Sequence, residues 1–213
     1  MKSRVKINTV DMVTRGAFDK NILRVAIVGN GITNRRRGIF IDQCDRVIRF
    51  NGFQTKGYEE QIGKRIDIVI LIPTGDGGTQ VNKELTYSTI DQAAEFWFSR
   101  PLGSCKKPYK NLLKKINYKK EYPLQHPDTI LWRQIIQKVN YSSKKTMWPS
   151  TGFVGIEMAF SLFKNCQVYI TGFDQFKTRH YYDNKPICGA SHPLRAEKMA
   201  ISTYVRLGHI IKI

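Results

Sequence analysis

Arg24-Val25-Ala26-Ile27-Val28-Gly29-Asn30-Gly31 is a run of branched apolar residues that ends abruptly in a glycine turn. No charge interrupts it from Val25 to Val28, as expected of a strand buried on both faces in a parallel sheet. A tight glycine turn at a strand's carboxyl end is where α/β sheets place ligands, because glycine lets the backbone approach a phosphate or ribose. The dinucleotide fingerprint G-x-G-x-x-G is not completed: its third glycine would fall at Asn34, and the next glycine is Gly38. No G-K-[ST] P-loop occurs. On its own the turn fits either a nucleotide-like ligand or a purely structural role.

Four further runs read as strands: Arg46 to Phe50, Asp67 to Leu71, Gln167 to Thr171 and His209 to Ile213. Between Gly152 and Phe163 the residues Phe153, Ile156, Ala159, Phe160 and Phe163 recur at helical spacing, after the cap residues Pro149-Ser150-Thr151. A second helix is expected from Pro193, a residue suited to a first helical turn, to about Leu207. Strands alternating with helices predict the α/β class, with a mostly parallel central sheet flanked by helices. The 213 residues fit a single domain over 1–213, with an N-terminal extension at 1–22 and a core from about 23 to 213. Pro73 to Gly78 (PTGDGG) reads as a glycine-rich loop, and Tyr118 to Pro127 as a polar connector.

Composition narrows the class. With 41% hydrophobic and 11% aromatic residues the chain is too apolar to be disordered, despite a formal charge of +18. No apolar run approaches the roughly 20 residues of a membrane-spanning helix, and the first twenty residues lack the apolar core of a secretory signal. Cys44, Cys105, Cys166 and Cys188 form no C-x-x-C pair, so a reducing cytoplasm is the natural setting. The charge calls for an anionic partner: nucleic acid, anionic lipid or lipopolysaccharide, or a nucleotide-sugar substrate. Arg100 to Lys120 holds eight Lys/Arg and no acid, a solvated face or a docking patch.

Downstream of the glycine turn stand Gly38-x-x-Ile41-Asp42-x-x-Asp45-x-Val47-Ile48-Arg49-Phe50-Asn51 and Gly57-Tyr58-Glu59-Glu60-x-x-Gly63-Lys64-Arg65. Then come Pro149-Ser150-Thr151-Gly152-Phe153, Tyr169-Ile170-Thr171-Gly172-Phe173, His180-Tyr181-Tyr182-Asp183, and His192 five residues before Glu197. This ordered set resembles the large, small, third and very small motifs of the eukaryotic-type sialyltransferases, glycosyltransferase family 29. The resemblance spans about residues 24 to 198 and implies a Rossmann-like domain, a GT-A-like variant.

The same resemblance assigns roles. Gly29, Asn30, Gly31 and Asn51 would border the cytidine monophosphate (CMP) of the donor; without it, Asn30 suits a left-handed turn and Asn51 a strand-end cap. Ser150, Thr151 and Gly152 would approach the nucleotide with the amides of a helix start, as well as capping that helix. His192 would be the general base that takes the acceptor hydroxyl proton, and His180 would donate to the departing phosphate. Tyr181 and Tyr182 would wall the pocket or add hydroxyl contacts. Glu197 would orient the loop or the histidine, or else be an exposed acid near a helix start. Asp42, Asp45, Arg49, Gly63 and Arg65 read as scaffold.

The implied reaction is inverting transfer of sialic acid or a related acidic sugar from a CMP-sugar to a glycan or lipid-linked acceptor. No D-x-D occurs, so no metal or other cofactor is expected. Val25 stands where animal members carry a disulfide cysteine, which leaves Cys166 without that partner. The chain reads as a compact, anchorless relative of bacterial or viral type. It is expected in the cytoplasm, peripheral to an inner membrane through Arg100 to Lys120, with the Golgi less favoured. A basic nucleic-acid-binding protein and a non-catalytic nucleotide-sugar binder remain the alternatives.

Overall fold

The computed structural model describes residues 21–72, 92–104, 106–115, 124–140, 147–174, 177, 179–182 and 192–213. Among them are seven strands: β1 (Leu23–Val28), β2 (Arg46–Phe50), β3 (Ile68–Leu71), β4 (Glu95–Phe98), β5 (Leu124–Gln125), β6 (Cys166–Thr171) and β7 (Ile210–Lys212). All pair in parallel, in the order β5-β4-β3-β2-β1-β6-β7. The chain thus moves outward from β1 to β5, then returns to lay β6 on the other side of β1. The five strands expected from the sequence are present within one residue of their expected bounds.

Two strands were not expected. Glu95-Phe96-Trp97-Phe98 is a short, mostly aromatic run, and β5 corrects the reading of Tyr118 to Pro127 as a plain connector. Leu124 and Gln125 carry no strand pattern of their own; their partners Phe96 and Trp97 supply the ladder. The loop at Pro73 to Gly78, and residues 1–20 of the expected extension, lie outside the described residues.

Side chains alternate across the sheet. Val25, Ile27, Ile48, Phe50, Ile68 and Ile70 face a core shared with α4 (Thr129–Asn140), α5 (Thr151–Leu162) and α6 (Leu194–Arg206). Ala26, Val28 and Val47 face Ile41 of α1 (Gly38–Asp42) and Ile62 of α2 (Glu59–Ile62). Val69, Leu71, Phe96 and Phe98 face Tyr109 and Leu112 of α3 (Lys106–Lys115). Helix α3 lies inside the basic stretch: Tyr109 and Leu112 are buried while Lys110 and Lys114 are exposed, so it docks by its apolar side. Lys119 and Lys120 fall outside the described residues.

The charged residues read as scaffold hold strand ends and turns. Asp42 accepts from the backbone amides of Lys64 and Arg65, and Asp45 from that of Arg24 at 2.7 Å. Arg49 is 1% exposed and donates to the carbonyls of Arg65, Ile62 and Gly63. Burial lowers its pKa to about 10. These bonds press α1 against α2 so closely that a Cβ on Gly38 would stand 1.7 Å from the Glu59 carbonyl oxygen. Gly38→Ala is therefore expected to destabilise the fold by about 3 kcal/mol, read as a lower urea midpoint with an unchanged slope.

Candidate active site

The strand order reverses between β1 and β6, and in open parallel sheets ligands bind beyond the carboxyl ends of the strands at such a point. Two glycine turns meet there. The Gly29 amide donates to Thr171 O (2.8 Å) and the Gly31 amide to Gly172 O (3.0 Å). A Cβ on Gly29 would come within 2.4 Å of Gly172 O, and one on Gly172, whose φ is +70°, within 2.4 Å of Gly29 O. The glycines of the opening motif are thus needed for contact between the turns, whatever else lies above them.

Asn30 and Asn51 are both engaged: Asn51 is the strand-end cap expected of it, whereas Asn30 does not take the left-handed turn. Asn30 Nδ2 donates to Phe50 O (3.2 Å) and Gly52 O (3.1 Å), which ties the β1 turn to the end of β2. The left-handed backbone belongs to Asn51, at φ 48°, and its Oδ1 accepts from the Ile72 amide at 2.9 Å, a cap on the end of β3. Both of the amide donors of Asn30 are used by carbonyls, so what it offers a ligand is its Oδ1 acceptor.

The third motif is zipped onto this turn. Gly31 and His180 form an antiparallel bridge, and the Tyr181 amide donates to Asn30 O at 3.0 Å. Tyr181 donates its hydroxyl to Gln54 O and Tyr182 to Gly52 O. Burial pushes the Tyr181 phenol well above its usual range. His180 Nδ1 is 3.3 Å from the Tyr182 hydroxyl oxygen, and the two rings stack. That hydroxyl has spent its proton on Gly52 O, so His180 Nδ1 is the donor and the ring presents Nε2 on its other side.

The small and very small motifs meet through one buried carboxylate. Ser150 is the N-cap of α5, its Oγ accepting from the Phe153 amide at 3.2 Å. Glu197 takes the Ser150 amide on Oε1 (2.7 Å) and the Ser150 hydroxyl on Oε2 (2.6 Å). It is 4% exposed, not the exposed acid of the simpler reading. Burial raises its pKa, opposed by the two Ser150 hydrogen bonds and by nearby His192. His192 Nδ1 lies 2.9 Å from Trp148 O. A carbonyl only accepts, so Nδ1 carries the proton and, in the neutral ring, the lone pair sits on Nε2.

Phe173 joins these parts and was given no role by the sequence. Its ring would meet a Cβ at Gly29 (3.1 Å) and at Gly152 (2.9 Å), and it packs edge-on to Phe50. The β1 turn, the β6 turn and the start of α5 therefore share one ring. The first-turn amides of Thr151 and Gly152 have no intrahelical acceptor and form the positive end of α5. Asp174 also reaches the crevice, 2.9 Å from the position of a Cβ on Gly31. Trp148 could not be found from its side chain, since what it lends to His192 is a backbone carbonyl.

Residues 5–208 match the sequence model of glycosyltransferase family 29 (sialyltransferase). A beta-galactoside alpha-2,6-sialyltransferase 2 of Xenopus tropicalis is 30% identical over 190 residues, covering 80% of this chain and 36% of that protein. The chain thus spans little more than a third of the length of that curated relative. The crystal structure of a mammalian sialyltransferase superposes with a TM-score of 0.62 at 17% identity, over 90% of this chain and 69% of the other. The Campylobacter jejuni sialyltransferase CstII, in complex with the substrate analogue CMP-3FNeuAc, superposes with a TM-score of 0.56 at 14% identity, over 89% and 80% of the two chains.

Glu197→Ala would leave the buried Ser150 amide without its acceptor, at a cost of about 2–3 kcal/mol, seen as a fall in Tm of roughly 5–10 °C. Because the Glu197 pKa is raised on folding, its contribution to stability is full below the ordinary carboxylate range. That contribution is lost as pH rises through the folded value, and in Glu197→Gln the dependence disappears from the Tm-against-pH curve.

Proposed function

The chain belongs to glycosyltransferase family 29, and from that membership we propose that it transfers sialic acid or a related acidic sugar from a CMP-sugar donor to a glycan acceptor. The observation that carries this reading is the bond from His192 Nδ1 to the Trp148 carbonyl. It puts the basic nitrogen of the ring at Nε2, the form that a general base for a sugar hydroxyl requires.

In the proposed reaction Nε2 of His192 takes the proton of the acceptor hydroxyl as its oxygen bonds to the anomeric carbon. The bond from that carbon to the phosphate oxygen breaks on the opposite face, and its electron pair leaves with CMP. Displacement from the opposite face inverts the anomeric configuration. His180, held through Nδ1 by Tyr182, acts as the imidazolium and donates its second proton, on Nε2, to the departing phosphate, and the amides of Thr151 and Gly152 meet the same charge. Asn30 Oδ1 accepts from a donor hydroxyl or amine, while Gly29, Gly31 and Asn51 shape the floor beneath it. Tyr181 and Tyr182 form the wall, and Glu197 keeps the α5 start beside the very small motif.

Departure of CMP as a phosphate monoester, met by histidine and amide donors, lets the step proceed without metal or other cofactor. The acceptor is a glycan, carried on lipid where Arg100 to Lys120 meets an anionic surface in the cytoplasm. Among the described residues no helix is long and apolar enough to cross a membrane.

Incubation with CMP-Neu5Ac or CMP-Kdo and N-acetyllactosamine should release CMP at a rate unchanged by EDTA. His192→Ala should lose about 10²–10⁴-fold in kcat while keeping its affinity for CMP. CMP binding without release from any donor would leave a nucleotide-sugar binder, and a thermal shift with a short oligonucleotide but not with CMP would leave a nucleic-acid binder.

A further inference from the structure

The His192 bond depends on how one exposed carbonyl is aimed. Met147 to Ser150 form no regular structure, yet both ends are pinned. The Met147 amide donates to Asn140 Oδ1 (2.8 Å), Asn140 Nδ2 donates back to Met147 O (3.0 Å), and the Ser150 amide is held by Glu197. Pro149 has no amide proton, so the peptide that carries Trp148 O has no N–H of its own to hold it in place. Trp148 is 45% exposed, so burial does not lock its side chain either.

Two side chains hold it instead. The Arg100 guanidinium carbon stands 4.7 Å from the Trp148 ring centroid, and the Trp132 ring lies 6.2 Å away, tilted by 21°. Arg100 is itself anchored: Tyr109 donates its hydroxyl to Arg100 O at 2.5 Å. Tyr109 is buried and stacks on Phe98, the last residue of β4, at 3.9 Å. An unbroken line of contacts therefore runs from the sheet through Tyr109, Arg100 and Trp148 to His192. A planar guanidinium stacks on indole as an ammonium does not, so the arrangement suits arginine in particular.

We propose that Arg100 is a positioning residue for His192: by clamping the Trp148 indole it aims the carbonyl that keeps the proton on His192 Nδ1. The proposal deepens the transferase reading, in which His192 is the base, but it concerns a tautomer that is measurable without turnover. With the clamp in place the neutral ring exists as one tautomer and every molecule presents a basic Nε2. Without it the ring exchanges between tautomers and rotates, and only part of the population is competent.

The test is nitrogen-15 NMR of the histidine-labelled protein, with His192→Ala to assign the signals. The parent should show His192 as the single Nδ1–H tautomer, Arg100→Gln a mixture, and Arg100→Lys a mixture less far displaced. In turnover, Arg100→Gln should lower kcat by about tenfold with donor and acceptor KM within twofold, and Arg100→Lys should recover part of the loss. Circular dichroism and CMP affinity establish that each variant is folded; Trp132→Ala takes the place of Arg100→Gln if that one is not. An unchanged tautomer in folded Arg100→Gln, or a parent His192 protonated on Nε2, overturns the clamp. A locked tautomer that Arg100→Gln releases, in a protein that liberates no CMP, upholds the clamp and overturns the transferase reading alone.

Discussion

Everything at the carboxyl edge of the sheet depends on how closely β1 and β6 approach each other where they end. Gly29 and Gly172 lie back to back, each carbonyl occupying the space that the other's side chain would need. That contact brings the opening turn beside Thr171-Gly172-Phe173 and lets Phe173 reach both Gly29 and Gly152. The start of α5 then closes on the crevice, and with it come Glu197 and His192. A side chain at either glycine would part the two turns and open the chain of contacts that carries both histidines.

Buried charge is used sparingly and for geometry. Arg49 gives its guanidinium to three carbonyls beneath the β2 end, and burial weakens its basicity without removing its charge. Glu197 ties two segments 47 residues apart, and burial favours its protonated form. A second buried acid, Glu157, accepts from Lys138 (2.7 Å) and Tyr204 (2.6 Å), which fastens α4 and α6 to α5. Among the described residues, basic side chains such as Lys110 and Lys114 face solvent. The site itself rests on directed hydrogen bonds more than on net charge.

The central strands were legible because a strand buried on both faces must be apolar throughout, and little else in a basic chain looks like Val25 to Val28 or Ile68 to Leu71. Helix α5 was legible from apolar spacing after the cap residue Ser150, and α6 from Pro193 at its start. Leu124–Gln125 was not, because its ladder comes from β4 rather than from any pattern within it. Short α1 and α2 were not read as helices, since their stability comes from the bonds of Asp42 and Arg49 across the motif.

For the site, the resemblance of the ordered motifs to those of the family determined which residues belong together; His180, Ser150, His192 and Glu197 carry no such signal one by one. Tertiary structure alone decided what each touches. Asn51, not Asn30, takes the left-handed backbone; Glu197 is buried on Ser150; and the proton of His192 is placed by a carbonyl. Side-chain chemistry is written in the sequence, whereas a backbone carbonyl is the same at every residue, and only folding gives one of them a direction.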